Sequence, residues 1–381
     1  MKNILYISNI AGKRMAFGFS GAAIMAAREL ELPFYSVANR QLSTAEDIKA
    51  DEERYGIKLL HIDLERTPYS PKNIRAYKQL CEIIKNYDID CIHCNTPVGG
   101  LLGRLAGKKC GVKKVIYQAH GFHFYKGAPK LNWLVYYPIE CFLAHWTDAL
   151  ITINKEDYQA AQKFHLRNHG KIYYVPGVGI DTEDVCRNLG RNTKRQELGL
   201  NPDDFAFVSA GRLEPNKNNE TLIRALAQVH NPKVKMVFCG DGPDMEKLKH
   251  LAEELRISDQ TIFLGNRSDM KEIYLAVDAL AMASFREGLS RTIMEAMTNG
   301  LPCVVSKIRG NVDLIEDGVE GYLCSPSDVN GYAAAFSNLA ENAELRQQMG
   351  NENLRKIKDF DIKKVTEELK KIYTAVLCEN V

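Results

Sequence analysis

No stretch of this 381-residue chain approaches the ~18 consecutive apolar residues of a membrane span, so no transmembrane helix is expected. Net charge is equally scarce: 50 basic against 48 acidic residues leave +2, which excludes bulk electrostatic binding of nucleic acid. No low-complexity tract and no repeat of ~20–50 residues is present, which excludes solenoids and propellers. The loop after the first expected strand lacks G-x-G-x-x-G, so a dinucleotide fingerprint, and with it a dehydrogenase, is disfavoured. The opening residues 1–8 have neither a long apolar core nor a cleavage-site pattern and read as a strand rather than a signal peptide. Ten cysteines without secretory context point to a reduced, cytoplasmic protein. Cys91-Ile92-His93-Cys94 has the residue types of a metal site. It lies in an expected strand, where neighbouring side chains point to opposite faces, so buried cysteines and no metal are expected.

What the chain does have is alternation. Short β-branched runs at 3–8, 33–38, 58–62, 90–94, 114–118, 149–153 and 171–175 are separated mostly by helical patterns such as 70–87, 98–107 and 155–164. The pattern returns with strands at 205–210, 235–239, 261–264, 279–283 and 302–306, and helices at 219–229, 244–255, 269–276 and 289–298. Such alternation predicts an α/β protein with parallel sheets covered on both faces, and two halves of it predict two doubly wound, Rossmann-like domains facing across a cleft. The break falls at Pro176-Gly177-Val178-Gly179-Ile180-Asp181 and the polar segment to Pro202, giving domains 1–180 and 181–360.

Ligands of doubly wound sheets bind at the carboxyl ends of strands, so the strand-end motifs carry the chemistry. In the second half the run Ser284-Phe285-Arg286-Glu287-Gly288-Leu289-Ser290-Arg291 joins a buried strand to a helix holding Glu295. A Gly turn at a helix start offers N–H groups and a dipole to a phosphate. Glu287 and Glu295 repel phosphate but accept hydrogen bonds from the hydroxyls that flank one in a sugar–diphosphate–ribose. A solvated turn Glu and a surface helix Glu have the same spacing. Gly211-Arg212-Leu213-Glu214-Pro215-Asn216-Lys217 follows another strand, and its two cations suit a diphosphate, Arg212 as a fork and Lys217 as a point charge. Gly240-Asp241-Gly242-Pro243 is a strand-end turn suited to close backbone approach, and Arg267 ends the strand before 269–276, where a base could stack.

In the first half the long first loop, 9–21, carries spaced glycines including Gly18, and Thr96-Pro97-Val98-Gly99-Gly100 opens a helix. Gln118-Ala119-His120-Gly121-Phe122-His123-Phe124-Tyr125-Lys126-Gly127 puts two His, three aromatics and a Lys in one loop. His120 is read as a cleft residue; His123 has the alternative of a packed aromatic loop. From Leu101 to Lys130 stand Arg104, Lys108, Lys109, Lys113, Lys114, Lys126 and Lys130 with no acidic residue, followed by the aromatic-rich 131–143. This segment reads either as a docking surface for an anionic bilayer or as a solvated lysine face beside a core helix that Pro138 kinks.

The ordered set Arg212…Lys217, Gly240-Asp241-Gly242-Pro243 and Glu287-x7-Glu295 resembles the retaining family-4 glycosyltransferases of GT-B fold. His93-Cys94-Asn95-Thr96-Pro97-Val98-Gly99-Gly100 with His120-Gly121-Phe122-His123-Phe124-Tyr125-Lys126-Gly127 resembles the branch used in bacterial capsule and exopolysaccharide synthesis. The similarity runs through nearly the whole chain. It implies a nucleotide-sugar donor, UDP on family habit, held by Gly18, Gly211, Arg212, Lys217, Gly240, Asp241, Gly242, Arg267, Glu287, Gly288, Leu289, Ser290 and Glu295. Arg212 and Lys217 would stabilise the leaving diphosphate, Glu287 bind sugar hydroxyls, Glu295 bind ribose and His120 contact the reacting centre. Thr96, His123 and Lys126 would lie on the acceptor side. The resemblance further implies no metal or other cofactor, a lipid-diphosphate-linked saccharide as acceptor, a peripheral place on the inner face of the cytoplasmic membrane, and a last helix, 361–378, that crosses back onto the first domain. Two departures stand out: Ser20-Gly21 replaces a Gly-Gly pair, and Arg291 sits close to the expected phosphate turn. Rival readings are a nucleotide-sugar 2-epimerase or phosphorylase on the same architecture, and a non-catalytic nucleotide-sugar sensor or partner subunit.

Overall fold

The computed structural model describes residues 2–12, 17–185 and 190–378. Residues 13–16 of the first loop and 186–189 of the boundary segment lie outside the described residues. In chain order the first elements are β1 (Asn3–Ile10), α1 (Phe17–Glu29), β2 (Phe34–Asn39), α2 (Ala45–Tyr55), β3 (Lys58–His61), α3 (Lys72–Asn86), β4 (Ile89–Asn95), α4 (Pro97–Cys110), β5 (Lys114–Ala119), α5 (Lys130–Ala144), β6 (Ala149–Thr152), α6 (Lys155–Ala161) and β7 (Lys171–Tyr174). They are followed by α7 (Arg191–Glu197), β8 (Phe205–Ala210), α8 (Asn219–Leu226), β9 (Val234–Cys239), α9 (Met245–Glu254), β10 (Thr261–Phe263), α10 (Met270–Ala276), β11 (Ala279–Met282), α11 (Arg291–Thr298), β12 (Cys303–Ser306), α12 (Asn311–Leu314), β13 (Gly321–Cys324), α13 (Val329–Glu341), α14 (Ala343–Lys356) and α15 (Ile362–Cys378). The chain forms two compact units, Met1–Gly179 with Asp361–Val381, and Ile180–Phe360.

In the first unit seven parallel strands run in the order β3-β2-β1-β4-β5-β6-β7. β1 is central and covered on both faces, which is why Ile4, Leu5, Tyr6 and Ile7 are all buried rather than alternating. Strand order reverses between β1 and β4, so the carboxyl ends of those two strands flank the crevice where doubly wound sheets bind ligands. One face carries Leu5, Ile7, Leu80, Leu102 and Tyr117; the other carries Ile4, Tyr6, Cys91 and Ile116. Helix α15 belongs to that second face. The small residues Ala22, Ala23, Ala26 and Ala27 of α1 let Val365, Leu369, Ile372 and Val376 of α15 pack close, each apolar side chain contributing on the order of 1.5–3 kcal/mol.

Buried His93 fastens α15 to the sheet. Its Nδ1 lies 2.7 Å from the Tyr373 hydroxyl and its Nε2 3.1 Å from Gln118 Oε1, so both ring nitrogens are engaged. Burial pushes its pKa down to about 3. An unfolded chain takes up a proton near pH 6.5 that the folded chain refuses, so this contribution is complete above about pH 6.5 and is lost as pH falls toward 3. The urea midpoint should therefore fall more steeply between pH 6 and 4 in wild type than in His93→Gln, by about 1.4 kcal/mol per pH unit. Both tryptophans, Trp133 and Trp146, lie in this unit, so their fluorescence reports its unfolding. Parallel pH profiles would remove His93 as the cause.

The second unit holds six parallel strands in the order β10-β9-β8-β11-β12-β13 and reverses between β8 and β11. Its two cores are built around Phe207, Met236, Phe238 and Phe336 on one face and Val208, Leu280, Met294 and Met297 on the other.

Three expectations change. Gly18 lies in the first turn of α1, not in a loop. The helix expected from Leu289 begins at Arg291, with Ser290 as its N-cap. Arg104, expected on a basic surface, is 1 % exposed. The close approach of α4 to the sheet, by contrast, is what Gly99-Gly100 suits: a Cβ at Gly100 would stand 2.3 Å from the Tyr117 ring. The β13 edge strand was unread: Gly321-Tyr322-Leu323-Cys324 is a four-residue run that opens on glycine, a residue depleted in strands.

Candidate functional site

At the switch point of the second unit, the carboxyl ends of β8 and β9 and helix α11 enclose a cavity of about 790 Å³. Its walls include the predicted Gly211, Arg212, Gly240, Asp241, Gly242, Arg267 and Glu295. The glycines serve the backbone: Gly240 has φ 150°, and a Cβ there would stand 1.9 Å from the Gly211 carbonyl oxygen. Leu213 N–H donates to the Asp241 carbonyl at 3.0 Å, which holds the two strand-end loops together.

Lys217 stands beside this cavity, its Nζ 3.8 Å from where a Gly211 Cβ would be, and donates to Glu287 Oε1 at 2.7 Å. The side chains sit close because the two loops are tied together. Phe285 N–H donates to the Asn216 carbonyl, Asn216 Nδ2 to the Arg286 carbonyl at 3.1 Å, and Asn218 Nδ2 to the Ala283 carbonyl at 3.1 Å. Arg212 is 67 % exposed, with Glu214 its 3.3 Å ion partner, so its guanidinium can turn toward an incoming anion.

Glu295 accepts from Arg291 Nε at 2.8 Å and from the Tyr274 hydroxyl at 3.1 Å, so each carboxylate oxygen already holds one donor. Arg291 thus holds Glu295 in place of reaching the turn. Gly288, Leu289 and Ser290 do not line the cavity. Ser290 Oγ accepts from Ile293 N–H, closing part of the helix terminus expected to be open. Arg267 is gripped by Asp269 at 2.6 and 2.7 Å and by Glu197 at 2.8 Å; that pairing with Arg267 holds the Asp269 carboxyl below the usual range. The Arg267 Nε and Nη2 are thus committed to carboxylates.

The first unit carries a cavity of about 280 Å³ at its own switch point, lined by Asn9, Asn95, Thr96 and His120 among others. His120 Nε2 is 2.9 Å from Asn95 Oδ1, while Asn95 Nδ2 donates to the Ile7 carbonyl at 3.3 Å. That second bond fixes the amide orientation, which in turn places the proton on Nε2 and leaves Nδ1 as the acceptor. Burial pushes His120 down to about 4, so the ring is neutral at physiological pH. His123 and Lys126 do not line this cavity. The His123 ring packs 4.7 Å from Tyr136, and Lys126 N–H donates to Glu156. Gly18 is likewise absent from the lining, although Phe19 and Ser20 contribute.

Three residues of the second site escaped the sequence reading. Tyr274 orients Glu295, Asn218 anchors the Lys217 turn, and the buried Arg309 donates to the Glu287 carbonyl at 3.3 Å. Only Arg309 left a signal, as a third cation after a strand end.

Residues 190–356 match the family model described as glycosyl transferases group 1, and residues 36–154 match that described as glycosyl transferase 4-like. EpsD of Bacillus subtilis (strain 168), named as a glycosyltransferase, is 37% identical over 322 residues, covering 83% of this chain and 84% of that one. The UDP-Gal:alpha-D-GlcNAc-diphosphoundecaprenol alpha-1,3-galactosyltransferase of Escherichia coli is 30% identical over 308 residues, 79% of each chain. Among solved structures, Anabaena HepE in complex with UDP and glucose superposes with a TM-score of 0.81 at 20% identity, over 98% of this chain and 100% of that one.

Proposed function

The chain belongs to the group 1 glycosyltransferases of GT-B fold, and from that premise we propose that it moves a sugar, with retention, from a UDP-sugar to a lipid-diphosphate-linked saccharide in cell-surface polysaccharide synthesis. The observation that carries this reading is the Lys217–Glu287 pair, 2.7 Å apart beside a cavity walled by Arg212 and Glu295. A cation and a hydroxyl acceptor held side by side suit a phosphate ester of a sugar. EpsD and the Escherichia coli galactosyltransferase support the polysaccharide branch, and the latter's name supports the acceptor class.

In this mechanism the C1–O bond to the diphosphate breaks as negative charge grows on the leaving oxygens. Lys217 and Arg212 stabilise that charge more in the transition state than in the bound donor. The acceptor hydroxyl attacks the same face, and the departing phosphate takes its proton. Glu287 binds donor hydroxyls rather than attacking C1, since Lys217 holds its carboxylate. Glu295 takes the ribose, and neutral His120 offers Nδ1 to a sugar hydroxyl. The two cations supply the charge that a metal would otherwise provide, so turnover is expected to survive a chelator. The test is a panel of UDP-, GDP- and ADP-sugars read by thermal shift and by the anomer of the product. A UDP-sugar at a hundred times its Kd should stabilise the protein by about 2.7 kcal/mol. An inverted product refutes retention, and binding without turnover favours the sensor reading.

We further assign α5 as the membrane-docking element. Leu131, Leu134, Ile139 and Phe142 are exposed on it, and Trp133 donates to the Tyr125 carbonyl, joining the helix to the loop that carries exposed Lys126. No helix among the described residues is long and apolar enough to cross a membrane. Salt-sensitive flotation with anionic liposomes is expected, and its absence defeats the assignment.

A further inference from the structure

We propose that the cavity of the first unit contains a second anion site, in which Arg40 and Arg66 hold the diphosphate of the acceptor; this rests on the reading of the acceptor as a lipid-diphosphate-linked saccharide. Both arginines line the cavity, and among the described residues no Asp or Glu does. Guanidinium groups are donors that carry a full positive charge, so this part of the wall favours oxygen anions, which answer that charge, over neutral sugar hydroxyls.

Arg40 is 4 % exposed and held in place: Nε donates to the Leu60 carbonyl at 3.3 Å and Nη2 to Ser36 Oγ at 3.2 Å. Its Nη1 makes no hydrogen bond among the described residues and remains for a ligand. Asp51 and Glu52 support its charge against the burial that lowers its pKa. Arg66 is exposed and makes no ion pair among the described residues. A buried, oriented cation with a free donor, next to a mobile-length cation with none of its bonds committed, is a fork-and-clamp arrangement for phosphate oxygens.

Strand order supplies the geometry. Across the sheet edge β3-β2-β1-β4-β5, Arg66 follows β3, Arg40 follows β2, Asn9 lies in β1, Asn95 ends β4 and His120 follows β5. Adjacent strands lie about 4.8 Å apart, so the arginine side lies one strand from Asn9 and about 10 Å or more from Asn95 and His120 on the neutral side. The neutral side has the amide and imidazole acceptors that sugar hydroxyls need. The order neutral-polar then cationic is the order saccharide then diphosphate. Thr96 lies on the neutral side with φ 65°, an unusual conformation for a β-branched residue and one found at ligand sites. A cavity of about 280 Å³ accommodates only a small headgroup.

The test titrates inorganic pyrophosphate, and separately geranyl diphosphate, into wild type, Arg66→Gln, Arg40→Gln and Lys217→Ala by isothermal calorimetry. Wild type should show two sites. Arg66→Gln, an exposed change that does not threaten folding, should weaken one of them about tenfold or more and leave the other unchanged. Lys217→Ala should weaken the other. Arg40→Gln should act like Arg66→Gln. Two unaltered sites in Arg66→Gln overturn the inference whatever Arg40→Gln does. Two unaltered sites in Lys217→Ala strike the donor reading and leave the acceptor site standing. Geranyl diphosphate should bind the Arg66-dependent site at least as tightly as pyrophosphate; preference there for the free ion rejects a lipid-linked source and with it the proposal.

Discussion

Replacing Lys217 with alanine is expected to lower kcat on the order of 10²-fold or more, the loss typical of removing one preorganised donor from developing charge. The ammonium donates to the Glu287 carboxylate at 2.7 Å. Its removal therefore has two consequences. The leaving diphosphate loses a point charge, and the Glu287 carboxylate, 15 % exposed, loses its partner and swings free of the donor hydroxyls. The first predicts a fall in kcat, the second a rise in KM for the donor. Lys217→Arg restores charge but not position, so it should recover part of kcat only. Steady-state kinetics on the three proteins, with thermal melts to verify folding, decide the matter: wild-type kcat in Lys217→Ala removes the cation from the mechanism.

The strands that frame both cavities were legible because a buried parallel strand is a short apolar run with polar ends. β8 and β11 satisfy that rule, and the strand-end loops carrying Arg212, Asp241 and Glu287 follow from it. What stayed hidden depends on distant pairing. Nothing local joins Lys217 to Glu287 across 70 residues, a bond that exists only once β8 and β11 are neighbours, or Tyr274 to Glu295 across 21. Gly18 was read as loop because glycine is a poor helix former, yet α1 packs through its small residues, so the same composition that weakens the helix lets α15 approach it. Arg104 was read as solvated because charged side chains are rarely buried; the exception requires a partner, and that partner lies 36 residues away.

That partner gives the largest stability effect expected of a single change. Glu140→Ala should destabilise the first unit by about 3–5 kcal/mol, because it strands a buried cation. Arg104 Nη1 donates to Glu140 at 2.8 Å and Nε to the Gly100 carbonyl at 2.8 Å, while the guanidinium lies 3.9 Å from the Tyr117 ring centroid. Nη2 already has no hydrogen-bond partner. Without Glu140 only one carbonyl and a ring face remain to compensate the charge. The double variant Arg104→Met, Glu140→Leu removes both charges and fills the space, so it should recover most of the loss. Tryptophan fluorescence in urea isolates this unit, and a Glu140→Ala midpoint equal to wild type would mean that water reaches Arg104. The pair also ties α4, whose N-cap is Thr96, to α5, whose Asn132 donates to the His123 carbonyl at 2.9 Å. Loosening it should therefore raise KM for the proposed acceptor before it changes KM for the donor, because Thr96, which lines the first unit's cavity, is the N-cap of one of the two helices that the pair joins.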